Sequence, residues 1–553
     1  MKRKKELIVI LSSLLVIVLS VSVAYFTTKI LGTGKDISVA SADLKITFTS
    51  GSGTINGTNI EPGWTSGENT FTVKNESNGI YKYNIIIKDL VNTFVTTGFL
   101  QYKITSSDGG YNMTEFVDVP KSSTPKDEIL AYSVEIAKGK THSYSIEFKY
   151  TNSTNDQSDD MGKELSGTLY IEKGTEKPFD GGTLAEAIKY YNPTIKTRTN
   201  FNSVFTETNT GTLYKATESI AGSTPKDVYY YAGDARNNWI KFGKLQTDNI
   251  IYRGYSSNPD FPGYIDYSTM DECTSAPNYN YNCTAHKIAR AGDDIYWRII
   301  RTNLDGSVRL LYAGTSPDTT KGYIGTSQFN SAYDDQMYVG YMYGTSGSLA
   351  NNRLNTNNST IKTYIDTWYS NNLTSYTKYI STEAVYCNDR KAPSYNASDF
   401  NYYAYTRLNA GNPTYDCEDS SDAFSGSTTG GGNGKLTYPI GLMTVDELVY
   451  AGGKVLTSLT KPFTWYYLNS TGGSIIENTI WWSLSPNRWD GTISHVWHIV
   501  GSTSPGFPDF YGSVESWNAV RPAISLKACT LWASGNGAPE TPYEIVLDPD
   551  ISC

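Results

Sequence analysis

Across residues 40–174 apolar and polar positions alternate with a period of two. Leu44, Ile46 and Phe48 share one face, as do Phe71 and Val73, and Leu100, Tyr102 and Ile104. Tyr132, Val134 and Ile136 repeat the pattern, then Tyr144, Ile146 and Phe148, then Leu169 and Ile171. Successive side chains of a strand point to opposite faces, so each stripe predicts a strand with one buried side. Turns rich in Gly, Asn and Ser separate the stripes, which predicts an antiparallel β-sandwich over 40–174. A linker with one short helix is expected over 175–224. Its first residues, 175–183, contain Pro178 and the pair Gly181-Gly182. Thr183 and Glu186 have the spacing of a capping box, Leu184, Ile188 and Tyr191 fall on one helical face, and Asn192-Pro193 ends it.

The remainder, 225–553, mixes both periodicities, so the fold class is mainly β with some α. Ile295, Trp297 and Ile299 alternate, 303–306 turns the chain, and Val308, Leu310 and Tyr312 return it as a hairpin. Ile361, Ile365 and Trp368 sit at helical spacing in 359–373. A second helix starts at Thr444, with Glu447 three residues on, and stops at Gly452-Gly453. The stretch 481–526 is rich in aromatics and glycine.

The first thirty residues change the compartment. Lys2-Arg3-Lys4-Lys5 precedes twenty uncharged residues, 7–26, enough helix to span a bilayer core. The basic flank stays in the cytoplasm, so the rest is exported. Residues 1–29 read either as a single-pass transmembrane signal anchor or as a signal peptide cut after Ala24, behind Ser22-Val23. The six cysteines, Cys273, Cys283, Cys387, Cys417, Cys529 and Cys553, suit that compartment as disulfides. Their spacing suggests local pairs 273–283, 387–417 and 529–553. A zinc site is the weaker alternative, because no CxxC pair exists and the chain has 4 His. Charged residues make up 18% and the net charge is −9, which argues against a nucleic-acid backbone as partner.

Over residues 1–174 the chain carries, in order, Ala24-Tyr25-Phe26, Ala40-Ser41-Ala42-Asp43-Leu44, Ile60-Glu61-Pro62-Gly63-Trp64, Val73-Lys74-Asn75 and Asn155-Asp156-Gln157. That order of motifs resembles the camelysin/TasA family of Gram-positive surface and biofilm-fibre proteins. The resemblance implies a jelly-roll-like sandwich, and fibre assembly in some members. Over 225–549 the order is Tyr296-Trp297-Arg298-Ile299-Ile300, the helix 361–368, Ile440-Gly441-Leu442-Met443-Thr444, Trp482-Ser483-Leu484-Ser485-Pro486 and Val520-Arg521-Pro522-Ala523. It resembles the C-type-lectin-like fold of formylglycine-generating-enzyme-like domains and of the variable proteins of diversity-generating retroelements. That resemblance implies two helices, a twisted sheet and an irregular ligand-binding face.

Catalytic chemistry needs a positioned nucleophile, base or metal, and the sequence offers few. His142 falls in a sandwich strand, in a surface or pairing role. His286 follows Cys283 in a loop. His495 and His498 flank Trp497, and a metal there would need Asp490 or Asp509 as a third ligand. The glycine run 430–434 lacks the spacing and the Ser/Thr of a phosphate loop. Residues 156–160 resemble half of a calcium loop, with Met161 where the turn needs Gly; no cofactor is expected beyond a structural calcium there, and no catalytic residue is assigned. The strongest candidate for binding is 486–518, with Asn487, Arg488, Trp489, Asp490, His495, His498, Phe507, Asp509, Phe510, Tyr511, Glu515, Trp517 and Asn518. Trp, Tyr and Arg anchor binding surfaces, and Tyr and Asn supply adaptable contacts. Trp481, Trp482 and Trp497 are expected in the core, while for Trp489 and Trp517 binding and packing are equally good readings. The sequence therefore predicts a non-enzymatic, adhesin-like surface protein, possessing a face for a glycan or protein on another cell, host or phage surface. The alternatives are a secreted matrix or fibre subunit and an extracytoplasmic metal-dependent enzyme.

Overall fold

The alternating stripes become two stacked antiparallel sheets in the first of two units, residues 1–178; the second unit is 179–553. The computed structural model describes the backbone of 37–41, 44–50 and 55–56. It then describes 62–547, apart from 154–156, 161–162, 176, 178, 209, 257–262, 277–280, 396–397 and 502. The expected membrane segment 7–26, the cleavage site at Ala24 and Cys553 lie outside the described residues. No helix among those described is long and apolar enough to cross a membrane.

One sheet of the first unit runs, in order, Ile37–Ser41, Leu44–Ser50, Asn69–Asn75, Thr141–Tyr150, Leu100–Ser106 and Val117–Asp118. The other runs Ile55–Asn56, Leu165–Lys173, Tyr81–Asn92 and Ser122–Ile136. Phe71, Val73, Leu100, Tyr102, Ile104, Tyr144, Ile146 and Phe148 are buried as the alternation requires, against Tyr83, Ile85 and Ile87 of the opposite sheet. The stripe at Tyr132 and Val134 is only half-buried, with Ile136 alone of the three in the core. The strand Tyr81–Asn92 has no alternating signature, because Ile85, Ile86 and Ile87 are all buried in succession.

Of the surface or pairing role expected for His142, the structure shows pairing. The residue is 5% exposed, and its Nδ1 meets the Tyr83 hydroxyl at 2.8 Å. Burial pushes its pKa down, with Asp108 opposing. Asp160, in the suspected calcium loop, accepts hydrogen bonds from the Val95 and Thr96 N–H groups and the Tyr150 hydroxyl. Those donors make it a protein-internal acceptor.

The second unit is built on an eight-stranded sheet. Its order is Thr194–Lys196, Thr212–Glu218, Lys226–Tyr230, Asp294–Thr302, Val308–Tyr312, Pro522–Leu526 and Gly441–Leu442, with Trp239–Lys244 also on Asp294–Thr302. The predicted hairpin is its centre. Trp297 faces Tyr312 and Ile299 faces Leu310 in register. Residues 179–224, expected as a linker, instead pack into this unit: Leu184, Ile188, Leu213 and Tyr214 join its core. Thr183 and Glu186 form the capping box of the helix Leu184–Tyr191. Ser359 caps Thr360–Asn372, which buries Ile361, Ile365 and Trp368. Thr444 and Glu447 cap Val445–Ala451, which ends on Gly452 at φ 123, a conformation that favours glycine. The start and end of the unit are sewn together. Leu184 donates to the Thr530 carbonyl at 2.8 Å and Trp532 to that of Gly182 at 3.0 Å, and the Phe179 ring meets Trp532 edge-on.

Cys273 pairs with Cys283 and Cys387 with Cys417. Cys529 is also disulfide-bonded; its expected partner is Cys553. His286 lies on the strand Tyr281–Ala289, where the sequence suggested a loop, and meets the Thr284 hydroxyl at 2.9 Å.

Candidate binding face at the terminal hairpin

Residues 486–518, expected as an irregular loop region, include much of the hairpin Trp481–Trp489 and Ser494–Ile499. This pair lies inside a six-stranded sheet, flanked by Asn518–Ala519 and Pro508–Asp509. All six residues of Ser494–Ile499 are buried. Trp481, Trp482 and Trp497 fill the core at 1%, 0% and 0% exposure, and the Trp482 indole N–H donates to the Ser327 carbonyl.

The thirteen predicted residues divide into two groups. Asn487, Trp489, His495, His498 and Asn518 are buried. Trp489 sits opposite Phe400 across a strand pair and is 8% exposed, so packing claims it. Arg488, Asp490, Phe507, Asp509, Phe510, Glu515 and Trp517 are half-buried, and Tyr511 is exposed at 64%. These eight keep part of their surface accessible. Arg488 is a two-pronged donor to Asp399, at 3.1 and 2.6 Å. Trp517 packs on Tyr267, with ring centroids 5.0 Å apart. Phe510 lies edge-on to Tyr405, which stacks on Trp497.

Each histidine has its own carboxylate. His495 Nε2 meets Asp490 Oδ2 at 2.9 Å, and His498 Nε2 meets Asp509 Oδ2 at 3.5 Å. Burial works against the charge of Asp490. Hydrogen bonds from His495, the Ile493 and Thr492 N–H groups and the Thr492 hydroxyl outweigh it and hold this carboxyl well below the usual range. Asp509 is lowered in the same way, by His498 and the Tyr511 and Phe510 N–H groups against burial. Burial raises Glu515. The histidines are three residues apart on one strand, so they project to opposite faces and do not converge. No group of three or more His, Cys, Asp or Glu able to hold a metal ion occurs among the described residues. The Nδ1 atoms of both histidines, the Trp497 Nε1 and the Asn487 amide are buried without a hydrogen-bond partner among the described residues.

Sequence reasoning missed an ionic cluster behind this hairpin. Arg301 donates to Glu218 Oε1 and to Glu447 Oε1, each at 2.9 Å, and Arg309 donates to Glu447 Oε1 at 2.8 Å. All four residues are buried. Burial opposes the charge on Glu447, but Arg309 and Arg301 hold its carboxyl below the usual range. Arg301 is raised correspondingly, Glu218 and Glu447 overcoming burial. The cluster walls a cavity of about 20 Å³, room for about one water. Its signal in the sequence is Trp297-Arg298-Ile299-Ile300-Arg301: arginines inside an apolar strand must find buried partners.

No protein-family model matches this chain, and neither a curated protein nor a solved structure matches it.

Proposed function

We propose that this chain is an exported bacterial cell-surface binding protein. In this reading the basic and apolar residues 2–26 carry it across the membrane and anchor it, unless cleavage after Ala24 releases it. The jelly-roll-like sandwich serves as a stalk. The second unit is a C-type-lectin-like domain that presents a glycan or protein ligand with the rim Arg488, Asp490, Phe507, Asp509, Phe510, Tyr511, Glu515 and Trp517.

The observation that carries this reading is the contrast within one short segment. Partly exposed aromatic and polar side chains accompany a strand pair whose own residues, Arg488 apart, are buried. Anchors of this type bind best on a preorganised support. The disulfides suit an extracytoplasmic setting. The fibre alternative needs a receptive strand edge. The edge strand Ser122–Ile136 exposes Pro125, Lys126 and Asp127, which resist pairing along that edge. Glycan and protein arrays probed with the exported chain test the proposal. Binding lost in Tyr511→Ala and Trp517→Ala supports it; an empty array, or binding indifferent to both changes, sinks it.

A further inference from the structure

A cleft of about 390 Å³ lies beside the helix Tyr403–Asn409, lined among others by Asp389, Lys391, Tyr403, Arg407, Asp416 and Glu418. That volume falls within the range of small-molecule sites. No residue of 486–518 lines it.

Two of its walls are fixed covalently. Asp389 follows Cys387 by two positions, while Asp416 and Glu418 flank Cys417, and Cys387 and Cys417 are bonded to each other. The disulfide sets the span between these carboxylates before any ligand arrives, which lowers the ordering cost of binding. The helix supplies the third wall. Tyr403 is 42% exposed, with the Lys391 ammonium 5.3 Å from its ring centroid.

The charges in the lining are largely committed to one another. Arg407 donates to Asp389 at 2.9 Å and through two nitrogens to Asp446, and Lys391 donates to Glu418 at 2.7 Å. Asp416 accepts from the Ser219 N–H and hydroxyl through one oxygen, at 2.7 and 2.9 Å. The cleft therefore offers donors and acceptors side by side, with both of these cations matched by a carboxylate. A fully charged ligand would compete with these pairs. A hydroxyl both donates and accepts, so a ring bearing several hydroxyls can use both members of a pair, while its C–H face suits the Tyr403 ring.

We propose that this cleft is a binding site for a neutral saccharide, separate from the hairpin rim. Saturation-transfer NMR on the exported chain tests it, with glucose, galactose, mannose, N-acetylglucosamine, cellobiose, lactose and chitobiose as probes. At least one sugar is expected to respond. The affinity should fall at least about tenfold in Tyr403→Ala and in Asp416→Asn, fall on reduction of the disulfides, and persist in the surface control Tyr264→Ala. Thr406→Trp, which fills the cleft from an exposed position, serves if either variant misfolds by near-UV circular dichroism. Silence from every sugar overturns the site, as does a response that survives all three cleft variants. A response abolished by Tyr511→Ala but not by the cleft variants would move the sugar to the hairpin, ending this proposal while leaving the surface-binding reading intact.

Discussion

Arg301 and Glu447 are 146 residues apart in the chain and meet at 2.9 Å in the interior of the second unit. The Glu447 oxygen they share also takes Arg309, while the other oxygen accepts the Thr444 N–H and closes the helix cap. One carboxylate thus joins the central hairpin to the helix Val445–Ala451.

Glu447→Gln separates those two duties, because glutamine can still complete a capping box. It leaves the buried Arg309 without its carboxylate and Arg301 with Glu218 alone. The expected loss is about 3–5 kcal/mol, read by denaturant unfolding followed through tryptophan fluorescence. The Glu447 carboxyl is lowered in the folded state, so its contribution is complete above the unfolded value of about 4.3 and is lost as pH falls through the folded one. The wild-type curve should therefore steepen downward below about pH 4, and the variant's should be flatter. Equal curves would show that the cluster contributes no net charge pairing.

His142 gives the sandwich a different pH dependence. Its pKa is depressed by burial, so the unfolded chain takes up the proton more readily. That stabilisation is present above about 6.5 and lost as pH falls below it. Hydrogen exchange of the strand Thr141–Tyr150, corrected for intrinsic rate, should show weaker protection at pH 5.5 than at 7.5. His142→Gln should remove the difference, and a difference that persists would place its cause elsewhere.

The Cys387–Cys417 bridge closes a 30-residue separation. Replacing both cysteines by serine should cost about 2–4 kcal/mol, measured as a shift in the unfolding midpoint. Iodoacetamide should label neither cysteine of the protein purified without reductant until a reductant is added; mass spectrometry of the unreduced protein decides this.

Trp489 and Tyr511 belong to one predicted face but should behave oppositely. Trp489→Ala empties a buried position against Phe400 and should cost about 3–5 kcal/mol. Tyr511→Ala should change stability by no more than about 0.5 kcal/mol while weakening capture of the ligand. Thermal melts and array binding of the two variants together separate scaffold from rim. If Trp489→Ala melts like the wild type, that tryptophan is not core.

The features legible in the sequence are those set by neighbouring residues. Thr183 with Glu186, Ser359, and Thr444 with Glu447 start helices where expected, because a cap is satisfied within four residues. The hairpin at 295–312 announces itself by alternation and its turn. What stayed hidden depends on distant partners. Ile85, Ile86 and Ile87 do not alternate, because both sides of their strand are covered by other segments. Glu218 gives no local sign that it will meet Arg301. Trp489 was ambiguous until Phe400 arrived beside it. The strand 194–196 carries no buried stripe, because all three of its residues are exposed and only its parallel pairing with Thr212–Glu218 makes it a strand.

The seam of 182–184 with 530–532 places the beginning and the finish of the second unit at one spot. Tension arriving through residue 179 is met first by a few hydrogen bonds and the Phe179–Trp532 contact, not by the sheet that carries 481–499. The same arrangement would let such a module be spliced into another protein at a single point, with no need to rebuild its interior.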